Sequence, residues 1–213
     1  MNINFRRLSV LSTLVATLTL SACAPLVVGG AAVGAFAAND RRTSGTLLED
    51  NTLELKLGSA ISKATAGKGH VSVTSFNRRV LLTGEVPSAA LKAITEEVAK
   101  HGENVVLVVN ELAVLGNSST TQRASDTLLS SRVKFALISD KQTDASAVKV
   151  VTERGQVYLM GLLTEKEANH ATEVVRRVSG VQGVVRVIEI ISDQELLRLK
   201  PPTQPAEKAP AAK

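Results

Sequence analysis

The chain carries one order of apolar and polar positions twice. "EDNTLELKLGSAI" aligns with "SDTLLSSRVKFALI", placing Asp50 opposite Asp126. "VSVTSFNRRVLLTGEV" aligns with "VKVVTERGQVYLMGLL", placing Gly84 opposite Gly161. "EEVAKHGENVVLVVNEL" aligns with "EVVRRVSGVQGVVRVIEI", with one-residue slips confined to two loops. Each repeat opens with apolar residues at helical spacing, and Asp50 or Asp126 can N-cap that first helix. "VSVTSF" and "VKVVTE" alternate like half-buried strands, as do "RVLLTG" and "QVYLMG". The polar turns "NRR" and "RGQ" join each pair as a hairpin. A second helix follows, "SAALKAITEEVAKH" or "EKEANHATEVVRRV", and the β-branched runs "NVVLVVNEL" and "GVVRVIEII" close the repeats. The pattern predicts an α+β protein of two tandem αββαβ units over 46–116 and 124–192. Each unit is expected to cover a small three-stranded sheet on one face with two helices.

The duplication is an internal control on the first helix. Leu129, Val133, Ala136 and Leu137 fall on one stripe, and their counterparts Leu53, Leu57, Ala60 and Ile61 are also apolar, which predicts a core face. Phe135 projects to the opposite side, near Leu128 and Arg132, with Ile138 further round. The first repeat has Ser59, Thr52, Lys56 and Ser62 at those places, so its helix is expected to leave that face wet. The second repeat adds Lys134. Exposed apolar residues bordered by cations mark an interaction surface: Phe and Leu can enter an acyl boundary while Arg and Lys meet anionic headgroups. The alternative is that Phe135 and Leu128 pack against the other repeat or the segment before it.

The ends of the chain have a different character. "MNINFRR" and the apolar "LSVLSTLVATLTL" form a leader over 1–22 that is too short for a comfortable membrane span. "LSAC" then resembles the bacterial lipobox, in which the cysteine becomes the acylated first residue of the mature protein. Cys23 is the sole cysteine, so an internal disulfide is excluded. The three acyl chains implied by the lipobox anchor stably where one would be marginal. Residue 24 is Ala rather than the Asp that holds enteric lipoproteins in the inner membrane, which by resemblance implies the outer membrane. Residues 23–45 read as the lipidated N-terminus and a Gly/Ala-rich tether, and 200–213 as a disordered Pro/Ala/Lys tail. Loss of the leader removes Arg6 and Arg7 and lowers the formal charge from +5 to +3.

Aromatic residues make up 2% of the chain. With so mild a basic excess and so few stacking rings, nucleic acid is not expected as a partner. The sequence shows no catalytic constellation. His70, His101 and His170 fall in a loop, at a helix end and on a polar helix face, with no ligand set at metal spacing. "VVGGAAVG" neither follows a strand nor opens a polar helix, so no cofactor phosphate is expected there. Glu96, Glu97, Glu165 and Glu167 sit among Lys and Arg on second helices and read as solvated faces.

The hairpins ending in Gly ("VLLTGEV", "VYLMGLL"), the second helices and the "V-x-V" final strands resemble the BON domain of bacterial envelope proteins. Gly84 and Gly161 match that family's glycine, where the backbone leaves the second strand. With lipobox and tether, the whole resembles dual-BON outer-membrane lipoproteins. The resemblance implies a periplasm-facing, non-enzymatic lipoprotein that binds anionic phospholipid through its second BON domain. Leu128, Arg132, Lys134, Phe135 and Ile138 would be the contact residues. It also implies a role in outer-membrane integrity and gathering at division sites. The competing reading is an envelope scaffold that uses the same patch for a protein partner or peptidoglycan.

Overall fold

A computed structural model describes residues 40–199, so the leader, Cys23, most of the tether and the tail lie outside the described residues. The first repeat comprises α1 (Ser44–Ala64), β1 (His70–Phe76), β2 (Arg79–Val86), α2 (Ala89–Lys100), β3 (Leu107–Asn110) and the short β4 (Ala113–Val114). The second comprises α3 (Thr120–Ser139), β5 (Val148–Glu153), β6 (Gln156–Leu163), α4 (Glu165–Arg176) and β7 (Gly183–Ile190), with α5 (Asp193–Leu199) after it. Each is the αββαβ unit the pattern predicts. β2 pairs antiparallel with β1 and parallel with β3, and β6 stands likewise between β5 and β7. In the first repeat the closing strand is interrupted, and its end returns to β2 as β4. α5 has no forerunner in the sequence reading.

The hairpins turn tightly because Asn77–Arg78 and Arg154–Gly155 all adopt left-handed φ, the geometry that matches the twist of the flanking strands. Asp50 and Asp126 hold these turns. They are not helix caps: Thr43 and Ser119 cap α1 and α3, whose first turns begin well before either aspartate. Asp50 instead accepts bonds from the backbone N–H groups of Asn77 and Arg78 at 2.8 Å each and from Ser75 Oγ at 2.7 Å. Asp126 accepts from the N–H groups of Arg154 and Gly155 at 2.9 Å. Both carboxylates lie on the core stripe, where a helix can reach the turn beneath it.

That stripe is real but narrower than expected. Leu53, Leu57 and Ile61 are buried in the first repeat, as are Leu129, Val133 and Leu137 in the second. Ala60 is exposed and Ala136 only half-buried, because at the rim of the arc a methyl group is too short to reach the sheet. The first core joins α1 to Val80, Leu82, Val86 and Ala99, and the second joins α3 to Val157, Leu159, Ala171 and Val175.

The central strands are buried on both faces rather than half-buried. Successive side chains alternate, so Val80 and Leu82 enter their own core while Leu81 points out of the other face. Leu81 and Phe76 meet Tyr158, Met160, Leu162, Val187 and Ile191 of the second repeat in one cluster. The two sheets thus cover each other, with Leu196 and Leu199 of α5 packed at the edge. Polar links fringe this seam. Arg79 pairs with Glu189 at 3.0 Å, and Lys149 with Glu54 at 2.8 Å. Arg41 is buried and reaches Leu162 O at 2.7 Å and both Glu167 oxygens at 2.8 and 2.9 Å. The neighbouring Arg42 instead binds Asp50 and stacks 3.9 Å from the Phe76 ring centroid. Adjacent arginines therefore hold one repeat each.

Gly84 and Gly161 lie inside β2 and β6, which continue two residues beyond them, rather than where the strand ends. The backbone is tightly placed at both. A Cβ on Gly84 would collide with the His70 carbonyl, and its φ of +108° is left-handed. A Cβ on Gly161 would sit 2.5 Å from the Ala147 carbonyl oxygen, without that unusual φ.

Candidate functional site

α3 presents two faces. At about 100° per residue, Asp126, Leu129, Val133 and Leu137 point inward, and Leu128, Phe135 and Ile138 point away together. The last three are 64%, 71% and 56% exposed. The seam is made by the sheets, so Phe135 and Leu128 do not pack against the other repeat. Arg132 flanks this apolar strip on one side and Lys134 on the other, both exposed. Beside the strip is a shallow cleft of about 560 Å³ lined by Leu128, Ser131, Arg132, Phe135, Ala136 and Val178. Val178, from the turn after α4, was invisible to the single-helix reading. Pairing α3 with α4 in space was needed to find it.

The equivalent face of α1 is not simply wet. It exposes Leu48 at 69% and Leu55 at 77%, at positions held by Ala124 and Ser131 in the second repeat. A cleft of about 480 Å³ lies there, lined in part by Leu48, Glu49, Thr52, Lys56 and Glu103. The sharper difference is electrostatic. Lys56 pairs with Glu103 at 3.4 Å, and Glu49 adds negative charge. Its counterpart Arg132 meets only the Ser179 carbonyl, at 3.3 Å, because Ser179 stands where the first repeat has Glu103. Among the described residues, neither Arg132 nor Lys134 forms an ion pair. One face is thus apolar and cationic, the other apolar and mildly acidic.

Among the described residues, no three His, Cys, Asp or Glu side chains are grouped to hold a metal ion, and no helix is long and apolar enough to cross a membrane. The histidines are dispersed. His70 opens β1 rather than lying in a loop, His101 bonds Glu97 O, and His170 bonds Asp140 at 2.8 Å. Glu167 is not simply solvated. Burial would lift its carboxyl, but Arg41 and the Thr164 N–H hold it below the usual range.

Comparison with known proteins agrees with this architecture. The BON domain is matched over residues 49–116 and again over 125–192. The chain belongs to the BON-domain family. It is 39% identical to the outer membrane lipoprotein DolP of Haemophilus influenzae over 83% of this chain and 92% of that protein. It is 31% identical to a 21 kDa hemolysin of Actinobacillus pleuropneumoniae, over 71% of this chain and 79% of the other. With the osmotically-inducible protein Y of Escherichia coli it shares 29% identity over 66% of this chain and 72% of the other. The first of these is named as an outer membrane lipoprotein, and none of the three is named as an enzyme.

Proposed function

We propose that this two-BON protein is an outer-membrane lipoprotein, anchored through Cys23, whose α3 face docks on anionic phospholipid. The similarity to an outer membrane lipoprotein across nearly its whole length supports the location, and the lipobox-like "LSAC" supports the anchor. The observation that carries the docking reading is the exposed Leu128–Phe135–Ile138 strip between two cations that, among the described residues, form no ion pair. Each cation near an anionic surface contributes on the order of 1 kcal/mol, and the apolar side chains add transfer energy on entering the acyl boundary. Support for outer-membrane integrity and gathering at division sites is the physiological extension of this reading.

Vesicle flotation across a salt series tests the docking. Arg132→Glu is expected to weaken binding to anionic vesicles, and more so at low salt, because screening acts on charge and leaves apolar transfer in place. Salt-independent binding equal to wild type would remove Arg132 from the site. For the anchor, Cys23→Ala is expected to release the protein from membranes or block its maturation. Normal processing with retention at the outer membrane would contradict it. The exposed Leu48 and Leu55 beside Glu49 favour a second reading, an envelope scaffold that engages a protein through the first repeat.

A further inference from the structure

The row of β2 side chains that faces the second repeat runs Arg79, Leu81, Thr83, Glu85, and the facing row of β5 runs Lys149, Val151, Glu153. Arg79 and Lys149 each have a close carboxylate. The other end of the seam is different. Glu85 is fully buried. Its Oε2 accepts from the Ser118 N–H at 3.1 Å in the linker between the repeats. Its Oε1 has no hydrogen-bond partner, and its ion pair with Arg154 is long, 3.6 Å, to a largely exposed side chain. Glu153 Oε1 is also buried without a partner. His70, across the ladder from Glu85, lines one cleft with Glu153, Arg123 and Asp126. A buried carboxylate oxygen with no donor is costly, and neighbouring acids disfavour each other's charged forms.

We propose that Glu153 carries a proton at the seam beside buried Glu85, and that the loss of this proton to solvent loosens the docking of the two BON domains. Facing Glu153 are Glu85 from β2, His70 from β1, Asp126 and Arg123 from α3, Arg154 from the turn, and Tyr158 from β6 with Glu111 beyond it. Burial first, then the charges of Glu85 and Asp126, push the Glu153 carboxyl up to about 7, against the opposing pull of Arg154 and Arg123. A carboxyl raised in the docked state adds stability that is complete below its ordinary value of 4.5 and is lost as pH rises through about 7.

The test is hydrogen exchange of the mature full-length lipoprotein in detergent, followed at α5, whose Leu196 and Leu199 pack on the seam. After correction for the intrinsic pH dependence of exchange, wild-type protection there is expected to fall severalfold between about pH 5 and about pH 8. Glu153→Gln carries no titrating proton and is expected to hold its protection across that range. Glu85→Gln removes a negative charge that helps to raise Glu153 and is expected to move the transition to lower pH; a transition that moves to higher pH would contradict the proposal. Identical pH profiles in wild type and both variants would overturn the proposal. If Glu153→Gln is unfolded by circular dichroism, the Glu85→Gln profile decides alone, and one that coincides with wild type is equally fatal.

Discussion

α1 and α3 are twins on the inside and strangers on the outside. Inward, each sets an aspartate and three aliphatic residues against its hairpin and sheet, and the aspartate binds the turn amides in both. Outward, α1 offers Leu48 and Leu55 with Glu49 and a Lys56–Glu103 pair, while α3 offers Leu128, Phe135 and Ile138 with Arg132 and Lys134. The fold constrains only the inner face, so the outer faces were free to acquire different charge. Two repeats with one architecture can therefore meet two different partners.

The shared frame should fail first when it is strained. Gly84→Val combines a left-handed φ with a backbone collision, and is expected to cost at least about 3 kcal/mol. Gly161→Val meets the collision alone and should cost less, about 2 kcal/mol. Thermal melts of the full chain check the order, and equal losses would show that the left-handed geometry at Gly84 carries no penalty. Asp50→Ala and Asp126→Ala should each destabilise by roughly 2–3 kcal/mol by orphaning turn amides. Asp50 should be the costlier, since Ser75 and Arg42 also depend on it. An unaffected melting temperature in either would break the claim that the inner faces are equivalent. Smallest in stability is the transplant Gly58→Lys, Ser59→Phe and Glu103→Ser, which gives the first repeat the second's outer chemistry. Ser59 is exposed and a Cβ at Gly58 meets nothing, so stability should change by less than about 1 kcal/mol. Binding to anionic vesicles should rise, and a folded transplant that binds no better would show that charge and a ring on this face are insufficient.

Much of this was legible in the chain. The order of elements, the hairpin turns and the aliphatic stripe follow from periodicity, and Phe135 stood out because duplication supplied Ser59 as its control. The seam was harder to read. "VYLMGLL" is a continuous apolar run, the mark of a strand buried on both faces, but treating it as alternating left no reason to look for a second covering layer. A cap and a long-range turn ligand use the same carboxylate, so only tertiary geometry separates the two roles for Asp50. Arg41 lies 126 positions from its partner Glu167, beyond the reach of any local pattern. Leu48 and Leu55 of the first repeat stand opposite Ala124 and Ser131, so the apolar residues of the second repeat do not point to them.

The most direct test of the account compares anionic-vesicle binding by wild type, Phe135→Glu and Ser59→Glu, with circular dichroism on all three. Both substitutions fall on exposed positions of equivalent helices, so all three proteins should be folded. Phe135→Glu loses about 2 kcal/mol of apolar transfer and adds about 1 kcal/mol of repulsion, a roughly hundredfold loss of affinity. Ser59→Glu should bind like wild type. A folded Phe135→Glu that binds vesicles as wild type does would contradict the account and assign the face to another partner.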